Sequence, residues 1–146
     1  MDNKVTHLGC EFIGKALTPG PKCPPIVVLK LDHNHFGSRG CNALMQGLKT
    51  NEFIKQLSLT FCSIDQECCR GLMEMLIFSK SKLEHLFLTG NNLRNEGVIK
   101  VLKGVSAAKA LIKIYLADNQ FNEDIEVLEA IKACMNTNKT LAKYDF

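Results

Sequence analysis

Hydrophobic and polar positions along the chain follow two alternating rhythms. In the segment VVLKLDHNHFGSRGCNALMQGLKTNEFI, residues 27–54, the first part alternates apolar and polar. That is the period of a strand with one buried face. The second part places apolar residues three and four apart, as the buried stripe of an amphipathic helix does. The same two rhythms return along the chain. Leu29-x-Leu31-x-x-Asn34 recurs as Leu57-x-Leu59-x-x-Cys62, Leu86-x-Leu88-x-x-Asn91 and Ile114-x-Leu116-x-x-Asn119, and a last copy begins at Leu141 and ends at Phe146. First positions 29, 57, 86, 114 and 144 give periods of 28, 29, 28 and 30 residues.

The helical halves align as well. Gly40-Cys41-x-x-Leu44-x-x-x-Leu48 matches Cys68-Cys69-x-x-Leu72-x-x-x-Leu76 and Gly97-Val98-x-x-Val101-x-x-x-Val105. Gly9-Cys10-x-x-Ile13-x-x-x-Leu17 is an earlier copy, and the fourth unit is expected to use Val127, Ile131 and Met135. The phrase Thr50-Asn51-Glu52 recurs as Thr137-Asn138-Lys139. These patterns predict strands near 26–31, 54–59, 83–88, 111–116 and 141–146. They predict helices near 8–18, 38–50, 66–78, 95–107 and 123–137. One strand-helix unit cannot cover its own apolar face, but stacked units can. The expected fold is α/β: a right-handed solenoid, one horseshoe segment, with about five parallel inner strands and outer helices. A single domain over 1–146 is expected, with a partial repeat at 1–25 and repeats starting near 26, 54, 83 and 111. The prolines of Thr18-Pro19-Gly20-Pro21-Lys22-Cys23-Pro24-Pro25 forbid helix, so this insertion reads as a rigid extended loop.

The pattern L-x-x-L-x-L-x-x-N/C with a 28–30-residue period resembles a leucine-rich repeat. The long period and the G-x-x-x-L-x-x-x-L helix resemble the ribonuclease-inhibitor-like subclass. The resemblance implies that Asn34, Asn91 and Asn119, with Cys62 in the second unit, form a structural ladder bonding turn backbone between repeats. It also implies a choice of roles, since the class includes scaffolds, inhibitors, immune sensors, actin-associated proteins and activators of GTPases.

Composition narrows that choice. The 18 Lys and Arg residues against 15 Asp and Glu leave a net charge of +3, too mild to imply a nucleic-acid partner. No apolar run approaches the roughly 20 residues that span a bilayer, so no membrane partner is expected. The start MDNKVTHLGCEF is polar and lacks an apolar signal core. A cytoplasmic, reducing location is therefore expected, with the seven cysteines as free thiols. Cys10, Cys41 and Cys69 fall in one helix column and read as small core residues rather than a bridge or a metal site. His33, His35 and Cys62 are the competing metal candidates, without a C-x-x-C pair to support them. Asp118, Glu123, Asp124, Glu126 and Glu129 favour the positive end of the last helix, with a cation patch as the alternative.

No nucleophile elbow, phosphate loop, H-E-x-x-H or G-x-G-x-x-G is present, so no enzyme, cofactor or catalytic residue is expected. Glu84-His85 and Asp32-His33 are sequence neighbours whose side chains point to opposite faces. The candidate site is instead the concave sheet face: Lys30, Asp32, Ser58, Thr60, His85, Phe87, Thr89, Lys113, Tyr115, Lys143 and Asp145. Phe87 and Tyr115 share one slot in adjacent repeats. They read either as a protein-binding hot spot or as a cross-strand pair packed on itself.

The sequence begins and ends in mid-repeat. Tyr144-Asp145-Phe146-Met1-Asp2-Asn3-Lys4-Val5, joined head to tail, reads like Leu29 to Phe36. Head-to-tail self-association or a place in a longer array is the corresponding expectation. The function expected is a non-catalytic protein-interaction module or scaffold. A structural subunit of a cytoskeletal or ciliary assembly and a regulator of a small GTPase stand as alternatives.

Overall fold

The computed structural model describes residues 3–146, so Met1 and Asp2 of the head-to-tail alignment lie outside the described residues. Its elements are α1 (His7–Ala16), β1 (Val28–Lys30), α2 (Gly37–Leu48), β2 (Gln56–Ser58), a 3₁₀ turn (Gln66–Cys68), α3 (Cys69–Ile77), β3 (His85–Phe87), α4 (Arg94–Ala107), β4 (Lys113–Tyr115), α5 (Ile125–Thr137) and β5 (Lys143–Asp145). The five strands form one parallel sheet in chain order. Every strand lies within its expected segment, shorter by three residues because only the central residues pair. The third helix starts later than expected, since the 3₁₀ turn occupies its first positions.

Register follows from the leucines. Leu29 pairs with Leu57, Leu57 with Leu86, Leu86 with Ile114, and Ile114 with Tyr144. A slip of one residue would turn this whole column to the open side of the sheet. Leu57, Leu59, Leu86, Leu88, Ile114 and Leu116 are all fully buried, against Leu44, Leu72, Val101 and Leu102 of the helices. In α5 the inner positions belong to Val127 and Cys134, whereas Met135 is 41% exposed. The Asp124 carboxylate caps α5 by accepting from Val127 N, and from that start the inward positions fall at 127 and 134.

Tight helix contacts rest on small residues. A Cβ on Gly14 would sit 2.2 Å from the Ala43 carbonyl oxygen, and one on Gly47 would sit 2.1 Å from that of Gly14. These two glycines let α1 and α2 touch backbone to backbone.

Each of β1 to β4 ends in a turn with a left-handed residue: His33, Phe61, Gly90 and Asp118, at φ between 53° and 70°. The residue after each is the ladder position. Asn34 Nδ2 donates to the Leu31 and Asp32 carbonyls, while its Oδ1 accepts from Val5 N of the preceding unit. Asn91 Nδ2 donates to Leu59 O and Leu88 O, each at 2.8 Å, and its Oδ1 accepts from Cys62 N and Ile64 N. Asn119 bonds Leu88 O, Leu116 O and Ala117 O, and accepts from Leu93 N. Cys62 has one donor, directed at Leu31 O at 3.1 Å. Each Asn thus ties its own turn to the one before it.

A second left-handed residue follows, and its place alternates. It comes one residue after the ladder position at Ser63 and Gln120, and three after at Gly37 and Arg94. Lys4, one residue after Asn3, continues the alternation. The units with Gly37 and Arg94 pass straight into their helices, while the others take a longer loop.

Cys41 and Cys68 form a disulfide, with Cα atoms 6.0 Å apart, which corrects the expectation of seven free thiols. The separation of 8–10 Å between helix axes does not apply to residues on facing sides. The bond also runs diagonally: the 3₁₀ turn brings Cys68, in the glycine column, against Cys41, while Cys69 lies beside Gly97. Cys10, Cys62, Cys69 and Cys134 are free and buried, and Cys23 is free and half-buried. Burial pushes the Cys10 thiol up to about 11 and those of Cys62 and Cys69 up to about 12. The Pro-rich insertion is not extended throughout: Cys23 N bonds Gly20 O, and Ile26 N bonds Pro24 O just before β1.

Replacing Asn91 by Ala orphans two backbone N–H groups and two carbonyls. A loss of about 3 kcal/mol in urea unfolding is expected. Opening the Cys41–Cys68 bridge releases a loop spanning 27 positions. Reduction should lower stability by about 2–4 kcal/mol and the melting temperature by roughly 10 °C, measured by calorimetry with and without reductant.

Candidate functional site

Alternation along each strand sends the residues between the core leucines to the open side of the sheet. Parallel pairing then arranges them in rows. Val28, Gln56, His85, Lys113 and Lys143 make the first row, and Lys30, Ser58, Phe87, Tyr115 and Asp145 the second. Asp32, Thr60, Thr89 and Ala117 lie just past the strands.

The residues expected to line this face divide into two groups. On the β1–β2 side the polar groups satisfy one another. Asp32 Oδ1 accepts from Ser58 Oγ at 2.5 Å and from Thr60 N at 2.9 Å. Ser58 is only 5% exposed, so it braces the sheet rather than facing outward. Lys30 is exposed at the margin of this group, while Thr60 and Thr89 are half-buried.

On the β3–β5 side the face is open. Phe87 and Tyr115 stack with centroids 4.9 Å apart and planes within 6° of parallel. His85 meets the Phe87 ring edge-on at 6.4 Å. Lys113 is half-buried and Lys143 exposed, and neither has an ion pair among the described residues. Asp145 is exposed at the end of the second row. Glu84, next in sequence to His85, is engaged by Lys55 at 3.1 Å.

Other sequence candidates fall elsewhere. Asn95 Nδ2 donates to Asp124, joining α4 to the head of α5, and Glu123, Glu126 and Glu129 are exposed around it. His35 bonds Ser63 Oγ, and His33 stacks on Phe61 at 5.2 Å. Among the described residues, no group of three or more His, Cys, Asp or Glu side chains is placed to hold a metal ion.

The repeated Asn of the linking phrase proves to be a second set of braces, a role the phrase alone did not reveal. Asn51 Nδ2 donates to Leu17 O and its Oδ1 accepts from Phe53 N and Ile54 N. Asn138 does the same with Val105 O, Thr140 N and Leu141 N. The signal was the phrase's position, just past a helix, where carbonyls lack partners. Beside Asn51, Pro19, Gly20, Cys23, Glu52 and Phe53 line an open cleft of about 220 Å³.

Comparison with known proteins agrees with this architecture. A family model described as "Leucine Rich repeat" matches residues 22–45 and 79–102. The chain is a leucine-rich repeat protein. It is 31% identical over 111 residues to human "NACHT, LRR and PYD domains-containing protein 14", covering 74% of this chain and 10% of that protein. It is 34% identical over 96 residues to human "NACHT, LRR and PYD domains-containing protein 12", covering 65% and 9%. The leucine-rich repeat chain thus spans about a tenth of the length of these relatives. Among solved structures, it resembles the leiomodin-1 actin-binding site 2, with a TM-score of 0.75 at 15% identity over 93% of this chain and 75% of that one. It also resembles the Caenorhabditis elegans tropomodulin C-terminal domain, with a TM-score of 0.77 at 16% identity over 94% and 81%. At that identity the likeness is one of fold. The ribonuclease-inhibitor-like subclass rests on the repeat length and helix motif alone. No helix among the described residues is long and apolar enough to cross a membrane.

Asp32→Ala is expected to cost about 1–3 kcal/mol, because it orphans the Thr60 N–H and Ser58 hydroxyl. Lys113→Ala should stay within about 0.5 kcal/mol of the parent chain. Urea titration of both variants separates the bracing residue from the unengaged one.

Proposed function

We propose that this leucine-rich repeat chain is a non-catalytic protein-interaction module whose binding surface is the concave sheet face over β3, β4 and β5. The observation that carries the reading is the Phe87–Tyr115 stack. Two large rings stack on the open side of the sheet, half-buried. Aromatic residues of this kind supply large contact area at low entropic cost, and interfaces are enriched in them. The pair also packs on itself as a cross-strand pair, so it is pre-ordered and loses little freedom when covered. Lys113 and Lys143 frame it with charge that no ion pair uses among the described residues, and His85 adds a polar ring beside them.

The reading assigns contact roles to His85, Phe87, Thr89, Lys113, Tyr115, Lys143 and Asp145, bracing roles to Asp32, Ser58 and Thr60, and leaves Lys30 on β1 outside the surface. It places the chain in the cytoplasm, where five of its seven cysteines stay thiols and the Cys41–Cys68 bridge is open to reduction. The actin-binding description belongs to leiomodin-1, and fold likeness alone brings no partner to this chain.

A double variant, Phe87→Ala with Tyr115→Ala, should lose the proteins that the parent chain captures, while its circular dichroism spectrum is unchanged. Quantitative mass spectrometry of the captured proteins checks this. Unchanged recovery of every partner would remove the concave face as the binding surface.

A further inference from the structure

We propose that the partner presents an acidic, extended protein segment, whose carboxylates lie along the His85–Lys113–Lys143 row and whose apolar side chain covers the Phe87–Tyr115 stack. This rests on the concave-face reading above and adds the chemistry of the occupant.

The row is set by register. His85 is the Cα partner of Lys113, and Lys113 of Lys143. Neighbouring strands lie about 4.8 Å apart, so two lysine stems rise side by side. Like charges directly opposite one another on a sheet destabilise it. The protein could have answered with a carboxylate, and the nearest ones are committed elsewhere or set apart. Glu84 is held by Lys55, and Asp32 by Ser58 and Thr60. Glu123, Asp124, Glu126 and Glu129 surround the start of α5, off the sheet. Asp145 shares the face but forms no ion pair with either lysine. The open side of β3–β5 therefore carries two lysines against the single carboxylate of Asp145, which pairs with neither, and an acidic ligand supplies the missing counter-charge.

The aromatic pair selects among acidic ligands. Single-stranded nucleic acid gains affinity on such surfaces by stacking bases on open ring faces. Here Phe87 and Tyr115 turn faces toward each other, nearly parallel, and His85 caps the Phe87 ring edge-on. At 4.9 Å the gap between the two rings is closed to a base, and the half-buried pair suits an aliphatic or aromatic side chain packing over it. The chain's net charge of +3 is also small for a surface that must neutralise many phosphates. An extended peptide advances about 3.3 Å per residue with alternating side chains, so a few residues reach from His85 to Lys143.

Fluorescence anisotropy with the full chain tests this. The probes are labelled peptides alternating Glu and Phe, Lys and Phe, and Glu and Ser, and a short oligothymidylate. The Glu–Phe peptide should bind about tenfold or more tighter than the Lys–Phe peptide, with affinity falling as salt rises. Lys113→Glu with Lys143→Glu should reverse that order, and Phe87→Ala should bring the Glu–Phe peptide down to the level of Glu–Ser. Thermal melts of both variants serve to show that they fold. Tighter binding of Lys–Phe, still weakened by Phe87→Ala, would overturn the acidic occupant and leave the concave-face reading standing. So would preference for oligothymidylate that the double lysine variant abolishes, with nucleic acid as the occupant. Binding that no concave-face variant alters would overturn both.

Discussion

A repeat of this chain has an apolar side that only its neighbours can cover. Leu57 and Leu59 of β2 are fully buried because β1, β3 and the helices of three units close over them. The same holds for Leu86 and Leu88, and for Ile114 and Leu116. Hydrophobic burial of this kind is non-directional and would accept a sheet in several registers. What makes it specific is the two-residue alternation: a slip of one residue exchanges the leucines for Lys113, Tyr115, Phe87 and His85. The open face and the core are therefore one constraint seen from its two sides.

Stacking alone does not settle how the turns at the end of each strand are built. Backbone there leaves the sheet through a left-handed residue and would carry unpaired N–H and C=O groups into the interior. Asn34, Asn91 and Asn119 supply a donor pair and an acceptor at that point, and each spans two units. Asn51 and Asn138 do the equivalent work where a helix hands over to the next strand. Buried polar groups are costly unless satisfied, so these side chains penalise wrong stacking more than they reward the right one. The unit with Cys62 has a single weak donor at the ladder position, and it is Asn91 of the next unit that bonds Cys62 N and Ile64 N.

The repeat, the strand and helix order and the leucine column were legible because each depends on periodicity, and five copies average out local exceptions. The open-face residues were legible for the same reason, since alternation fixes which side each residue takes. What escaped is local and three-dimensional. Ser58 and Asp32 were placed on the open face by parity, but hydrogen bonding between adjacent turns draws them into the sheet's own bracing. The Cys41–Cys68 bond escaped because aligned columns pair like with like, and this contact is diagonal, created by a 3₁₀ turn that no repeat average contains. Met135 fits a four-residue step, yet the cap at Asp124 sets a phase in which Cys134 points inward.

These exceptions bear on how the face divides. On the β1–β2 side, Ser58 and Asp32 are small enough to approach and bond, and the surface becomes part of the scaffold. One unit further, Phe87 and Tyr115 are too large to be drawn in, and they meet each other and the His85 ring. Next to them, Lys113 and Lys143 have stems long enough to carry their charge away from the sheet into water. Side-chain size thus decides, along one row of a regular sheet, which residues are spent on holding repeats together and which remain available to something outside. The transition falls between β2 and β3, and it is there that the side chains of the concave surface stop bracing the sheet.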